Sequence, residues 1–306
     1  MFTLAHLSDI HLAPLPAPRL ADLTPKRALA LVNWVRQRRF LHRREVLDLL
    51  TADLLAQRPD HIAVTGDLVN MGMPQELIAA REWLNTLGTP ERVTTIPGNH
   101  DVYGWRRGAS DFGPWRDYMC SNAPGTGQAS GPSQGHHAGF PFVKTYGRIA
   151  LIGTSTAVPT PPLWATGRLG KSQRRALGHL LSTLGDDGFC RVVLIHHPPL
   201  PGQASASRGL EDAAEMAESL ACEGAELVLH GHNHRPMLAF AQGLRGRIPV
   251  VGVPSASMHP DSHAPSARYN LLTIVPAGDG WRIGLTGRQY GPDGQMHEIE
   301  RLHLAP

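Results

Sequence analysis

Short apolar runs rich in β-branched residues recur along this chain with helical patterns between them, and that alternation restricts the fold more than any other feature of the sequence. The runs are Phe2–Ser8, His61–Thr65, Arg92–Ile96, Arg148–Gly153, Arg191–Ile195, Leu227–Leu229 and Ile248–Val253, each bounded by turn residues. Apolar residues three or four apart predict helices over Glu45–Ala56, Gln75–Leu87, Ser172–Leu184 and Leu210–Cys222. Strand followed by helix, repeated, implies an α/β architecture in which helices cover sheet, and in open sheets of that kind ligands sit beyond the carboxyl ends of the strands. Two Gly-, Ser- and Pro-rich segments interrupt the order. The stretch 104–139 reads as a long loop or cap, and 255–268 precedes a last strand at Tyr269–Val275 and a hairpin through Trp281–Arg288. No internal repeat or linker divides the chain, so one domain spanning 1–306 is expected.

Composition removes other classes. With 42% hydrophobic and 18% charged residues and a mean hydropathy of −0.20, the chain is neither disordered nor a polytopic membrane protein. No run of 18 apolar residues exists, and the N-terminus has no basic start followed by a long apolar stretch, so neither a transmembrane helix nor a signal peptide is expected. Cys120, Cys190 and Cys222 are odd in number and widely spaced, which offers no disulfide framework and suits small buried residues in a reducing compartment. The cytoplasm is the expected location. Residues 25–45 hold seven Lys or Arg and one acid, a local charge of +6 against +3 for the whole chain, leaving −3 elsewhere. The excess is local and does not describe a nucleic-acid-binding surface. Trp34, Val35, Phe40 and Leu41 interleave apolar bulk with these cations, which fits a basic helical segment overhanging the strand ends and touching an anionic substrate or, peripherally, the inner membrane. A solvated basic face packed on the body is the plainer reading.

Polar residues close the apolar runs: Asp9 with His11 in SDIH, Asp67 in TGDL, Asn99, His100 and Asp101 in PGNHD, His196 and His197 in IHHPP, His232 and His234 in HGHNH. Singly these are weak signals, because a histidine after a strand is more often a hydrogen-bonded structural residue. Five of them in the same strand-end context argue jointly for a metal site, and carboxylate, imidazole and amide donors without thiolate suit hard or borderline divalent cations. Gly66, Gly98 and Gly231 are expected to permit the backbone turns that aim these side chains.

The order D-x-H, GD, GNHD, H, GHxH resembles the calcineurin-like metallophosphoesterase superfamily, closest to its cyclic-nucleotide and glycerophosphodiester phosphodiesterase branch. The GRLG stretch at 167–170 with Gln173 and Leu177, and IPVVGVPSAS at 248–257, are similar to that branch as well. The resemblance implies a four-layer α/β/β/α sandwich with a dinuclear site at the strand ends. It implies Asp9, His11, Asp67 and His234 around one ion, Asp67, Asn99, His196 and His232 around the other, and Asp67 as the bridge. The ions would be Mn, Fe, Zn or Co, and a metal-bridging hydroxide would attack phosphorus directly. His196 is preferred over His197 as the ligand, since neighbours in an extended segment point oppositely. His100 would protonate the leaving alkoxide or contact phosphate, Asp101 would orient an imidazole, and Asn99, His100 and His197 would meet the substrate. His136, His137, His259 and His263 are further candidates for the cleft. A small phosphodiester such as 3′,5′-cyclic AMP is the leading substrate. A lipid-linked one is the alternative, with the chain acting as a UDP-2,3-diacylglucosamine pyrophosphatase. A catalytically silent metal-binding scaffold is the reading outside enzymes, against which every ligand motif and His100 are intact.

Overall fold

The computed structural model describes residues 1–103, 112–122, 139–260 and 265–305. Two six-stranded sheets form the centre. The first has the order β12 (Met296–Ala305), β11 (Gly280–Tyr290), β10 (Arg268–Ala277), β1 (Phe2–Leu7), β2 (His61–Val64), β3 (Val93–Thr95). The second runs β4 (Phe142–Tyr146), β5 (Ile149–Gly153), β6 (Cys190–Leu194), β7 (Leu227–His230), β9 (Gly246–Gly252), β8 (Met237–Gly243). β1, β2 and β3 are parallel, as are β5, β6, β7 and β9, so the ends that carry the polar motifs lie on one edge of the molecule.

The continuous apolar runs follow from burial on both faces. In β5 and β6, Ile149, Leu151, Cys190, Val192 and Leu194 face the core between the sheets. The alternate residues Ala150, Ile152 and Val193 meet Leu177, Leu181, Leu184, Met216 and Leu220 of the helices Lys171–Asp186 and Ala213–Glu223 outside. On the other side Val46, Leu47, Leu50 and Leu54, from the helix Arg44–Ala56, and Trp83 and Leu84, from Pro74–Leu87, cover the first sheet. The result is the expected α/β/β/α layering.

Three strands escaped the sequence pattern, β4, β8 and β12, and all three are sheet edges. Edge strands are partly solvated, as the alternating exposure of β8 shows, and β4 and β12 mix charged residues with their apolar ones. Only Cys190 of the three cysteines is buried; Cys222 is exposed and all are free. No helix among the described residues is long and apolar enough to cross a membrane.

The basic segment is a broken helix rather than one rod. Helix α1 (Pro25–Asn33), capped by the Thr24 hydroxyl, runs into a π-helical turn at Trp34–Arg38 and a last turn, α2 (Arg39–Leu41), before α3 (Arg44–Ala56) begins. The break between α2 and α3 is tied to the stretch after β9: Arg43 donates its backbone N–H to the Ser257 carbonyl and His259 to the Leu41 carbonyl. The seven cations do not form one face. Lys26 is buried against Thr160, Arg27 donates to the carbonyls of Met71, Gly72 and Asp22, Arg38 reaches His100, and Arg44 pairs with Asp48. Arg36 and Arg39 remain exposed.

Candidate metal centre

Seven non-glycine residues among those described have a positive φ, and five of them are Asp9, His11, Asp67, His232 and His234. Left-handed backbone at such residues costs of order 1–3 kcal/mol and persists only where the surroundings impose it. Here the loops impose it on one another. The N–H groups of Asp9, His11 and Leu12 donate to the carbonyls of Gly66, Asp67 and Leu68, continuing the β1–β2 pairing past the sheet, and Gly231 donates to the His196 carbonyl. Gly66 takes φ +97, as expected of a turn glycine, whereas Gly98 and Gly231 are required by close approach: a Cβ on Gly98 would strike the Asp67 carboxylate, and one on Gly231 would strike Ser8 and Asp9.

The side chains so delivered converge. His196 donates Nδ1–H to the Thr65 carbonyl at 2.7 Å, which aims its Nε2 at Asn99 Oδ1, 3.2 Å away, and at Asp67 Oδ2, 3.4 Å away. His232 donates Nε2–H to the Arg208 carbonyl at 2.7 Å, turning Nδ1 to within 2.9 Å of the same Asn99 oxygen. On the other side of Asp67, His11 uses Nδ1 on the Val69 carbonyl and brings Nε2 to 3.9 Å from Asp67 Oδ2 and 3.2 Å from His234 Nε2. His234 Nε2 in turn lies 3.2 Å from Asp9 Oδ1, a buried oxygen with no hydrogen-bond partner among the described residues. Crowded lone pairs and an orphaned buried carboxylate oxygen are costly unless a cation gathers them, and the donor set of oxygens and imidazoles fits divalent metal ions.

Burial lowers His11 and His232 well below the usual histidine range, so both imidazoles are neutral and able to ligate. Burial also opposes ionisation of Asp67, but the charge of His196 and the hydrogen bonds from His196 and the His100 backbone N–H outweigh it and hold the carboxyl well below its ordinary value. His196 shows the reciprocal effect: burial alone would lower it, yet Asp67 and Asp9 push it up to about 9. A cation would displace that proton.

Residues outside the converging set divide sharply. His197 is fully buried, with one ring nitrogen on Thr156 Oγ1 at 2.7 Å and the other donating to the Ala165 carbonyl at 3.1 Å, so both are spent and it does not face a substrate as expected. Among the described residues Asp101 is hydrogen-bonded to no imidazole. Its carboxylate accepts the backbone N–H groups of Asp67, Gly98 and Val69 and so ties the loop after β2 to the loop after β3. His100 donates its backbone N–H to Asp67 Oδ1 and Nδ1–H to the Asn70 carbonyl, leaving Nε2 at the cluster, where it accepts from Arg38 at 3.0 Å. His42, which the sequence did not single out, packs 4.5 Å from the His11 ring and 5.6 Å from His234, with Nδ1 on Ser257 Oγ. Only the tertiary meeting of the α2–α3 break with 255–258 puts it there. His259 lies beside Tyr290, and His136, His137 and His263 fall outside the described residues.

Comparison with known proteins agrees with this geometry. The family model for calcineurin-like phosphoesterases matches residues 2–236. The chain is 29% identical over 285 residues to a probable cyclic nucleotide phosphodiesterase of Synechococcus sp., covering 92% of this chain and 90% of that protein. It is 30% identical over 212 residues to a glycerophosphodiester phosphodiesterase of Enterobacter lignolyticus, 64% of each. A dimetal phosphatase from Danio rerio shares the fold with a TM-score of 0.59 at 14% identity, over 99% of this chain and 98% of that one. The strand-end donors, the two-sheet sandwich and the match over most of its length together place the chain in the calcineurin-like phosphoesterase family.

Proposed function

We propose that the chain hydrolyses a small phosphodiester with two metal ions, one held by Asp9, His11, Asp67 and His234 and the other by Asp67, Asn99, His196 and His232. The observation that carries the reading is Asp67 Oδ2, which faces His11 on one side and His196 on the other, so that one carboxylate belongs to both donor groups. Bound there, the ions would supply Lewis-acid polarisation of phosphoryl oxygen and activation of the attacking water. The chain itself fixes the donors. Backbone carbonyls of Thr65, Val69 and Arg208 hold His196, His11 and His232 in the tautomers that present lone pairs inward. Asp101 sets the spacing of the Asp67 and Asn99 loops, and Asn70 aims His100 Nε2 at the cluster, where it can hold a proton for the departing alkoxide.

A 3′,5′-cyclic nucleotide is the favoured substrate, supported by the relative named for that activity along nearly the whole chain. One observation favours an amphiphilic phosphoester instead: Leu29, Val32, Val35 and Phe40 stand exposed along the broken helix beside Arg36 and Arg39. The deciding experiment strips metal from the purified protein, follows bis(p-nitrophenyl) phosphate hydrolysis on return of Mn²⁺ or Co²⁺, then compares 3′,5′-cyclic AMP, glycerophosphodiesters and UDP-2,3-diacylglucosamine. Metal-independent turnover would end the dinuclear reading.

A further inference from the structure

Arg38 is the one cation of the basic segment that reaches the centre, and the way it arrives is specific. Helix α1 is anchored at its start, where Lys26 Nζ donates to the Thr160 carbonyl and hydroxyl at 2.9 and 2.8 Å, and Arg27 donates to the carbonyls of Met71 and Gly72. Trp34 is buried at the next contact. The chain then widens into the π-helical turn Trp34–Arg38, in which the N–H of Arg39 reaches back to the Trp34 carbonyl. Such single wide turns inside a helix recur at functional sites. At its end, Nη1 of Arg38 stands 3.0 Å from His100 Nε2, on a ring 4.9 Å from His11.

Among the described residues the contacts of Arg38 are incomplete: a guanidinium has five N–H donors, and one of them is used, on a neutral imidazole. Among the described residues no carboxylate forms an ion pair with it, and burial lowers it from its ordinary value, the sign of a desolvated charge. Two metal ions beside it would add repulsion. An anion lying between the ions and Arg38 removes all three penalties at once, and a phosphodiester is such an anion: it brings one negative charge and gathers more on its equatorial oxygens as the bond to the attacking oxygen forms.

We propose that Arg38 is a catalytic residue whose guanidinium binds a non-bridging phosphoryl oxygen of the scissile phosphodiester. The proposal rests on the phosphodiesterase reading of the centre and adds a contact from the segment between the first and second strands. On binding, the N–H now spent on His100 passes to the phosphoryl oxygen, which frees the His100 Nε2 lone pair to take up the proton given up by the attacking water and hand it to the leaving oxygen. Arg36 and Arg39, two positions before and one after, point to solvent and take no part.

The test uses the full-length protein loaded with Mn²⁺ and compares wild type with R38A, R38K, R38Q and the exposed-site control R36A. Three quantities are read: kcat/KM for bis(p-nitrophenyl) phosphate, the affinity for inorganic phosphate by calorimetry, and metal content by elemental analysis. R38A and R38Q are expected to lose about 10²-fold in kcat/KM, the usual cost of removing one donor to a developing oxyanion. Phosphate affinity should fall about tenfold or more with metal content unchanged. R38K, keeping the charge but not the fork, should lie between, and R36A should match wild type. If R38Q, which keeps a donor for His100 but no charge, turned over like wild type and bound phosphate equally well, Arg38 would be a prop for His100 and the proposal would fall. An inactive wild type would sink the phosphodiesterase reading instead, and the phosphate titration would still decide Arg38.

Discussion

Two groups of buried or half-buried carboxylates in this molecule have opposite surroundings. On the outer face of the first sheet, Asp53 of α3 takes two hydrogen bonds from Arg288 at 2.7 Å and one from the Tyr269 hydroxyl at 2.5 Å, which joins the helix to β10 and β11. At the strand-end edge, Asp9 and Asp67 face imidazole nitrogens, one Asp9 oxygen has no donor, and the backbone beneath is left-handed. The same residue type therefore serves stability in one place and stands against it in the other. A carboxylate answered by a guanidinium and a hydroxyl is finished, whereas carboxylates set among neutral and cationic imidazoles, with one oxygen left without a donor, are completed by a metal cation. Substitutions at the edge should cost activity and metal, and those on the outer face should cost stability alone.

The largest effect is expected at the bridge. Asp67→Ala should remove stable binding of both ions and lower turnover by about 10³-fold or more, the several kcal/mol that metal ions supply to transition-state charge. Metal binding to the native state also raises the melting temperature of the wild type by mass action. A chelator should therefore lower that temperature in the wild type and leave Asp67→Ala unmoved. Full metal loading of the variant by elemental analysis would contradict the assignment. His100→Ala should follow, with turnover reduced roughly 10²- to 10⁴-fold and metal retained, because His100 touches Asp67 through its backbone N–H, which alanine keeps. An empty His100 variant would move that residue into the ligand set.

The contrast also explains what could be read in advance. Strand-end placement, residue type and adjacent glycines are local properties, so Asp9, His11, Asp67, Asn99, His196, His232 and His234 were visible as one set before their distances were known. Arg38, His42 and the true contacts of Asp101 were not. Arg38 meets His100 across 62 residues and His42 meets Ser257 across 215, and no local pattern encodes such a meeting. Asp101 looked like a partner for an imidazole because it follows His100 in the PGNHD motif, yet its donors in space are backbone N–H groups of the two loops it joins. The Asp53 cluster was equally hidden, for it depends on how α3 settles on the sheet.

His196 and His197 bring the comparison down to adjacent residues, one belonging to the edge and one to the packed interior. His196→Ala should lose metal and activity. His197→Ala should keep both metal and activity but lose stability by about 3 kcal/mol, from a buried cavity and the unpaired partners left on Thr156 and Ala165. Urea unfolding beside metal analysis separates the two, and a His197 variant that is stable but empty would reverse the assignment.

The smallest effect belongs to the outer face and carries a pH signature. Burial of Asp53 opposes its ionisation, but the hydrogen bonds from Arg288 and Tyr269 outweigh that and hold the carboxyl below the usual aspartate value. A carboxyl with a depressed folded-state pKa contributes stability above its unfolded pKa, about 3.9, and loses it as pH falls through the folded value. Asp53→Asn, which keeps the shape and removes the charge, should therefore be about 2 kcal/mol less stable than wild type near neutral pH. The gap should begin to narrow only below about pH 4. Taking the difference between the two proteins cancels the titration of the edge histidines, which both share. Turnover of Asp53→Asn at neutral pH should equal wild type. A gap that stayed constant down to the lowest pH at which both proteins fold would show that Asp53 acts through shape rather than charge, and a loss of turnover would show that the outer face and the edge are coupled.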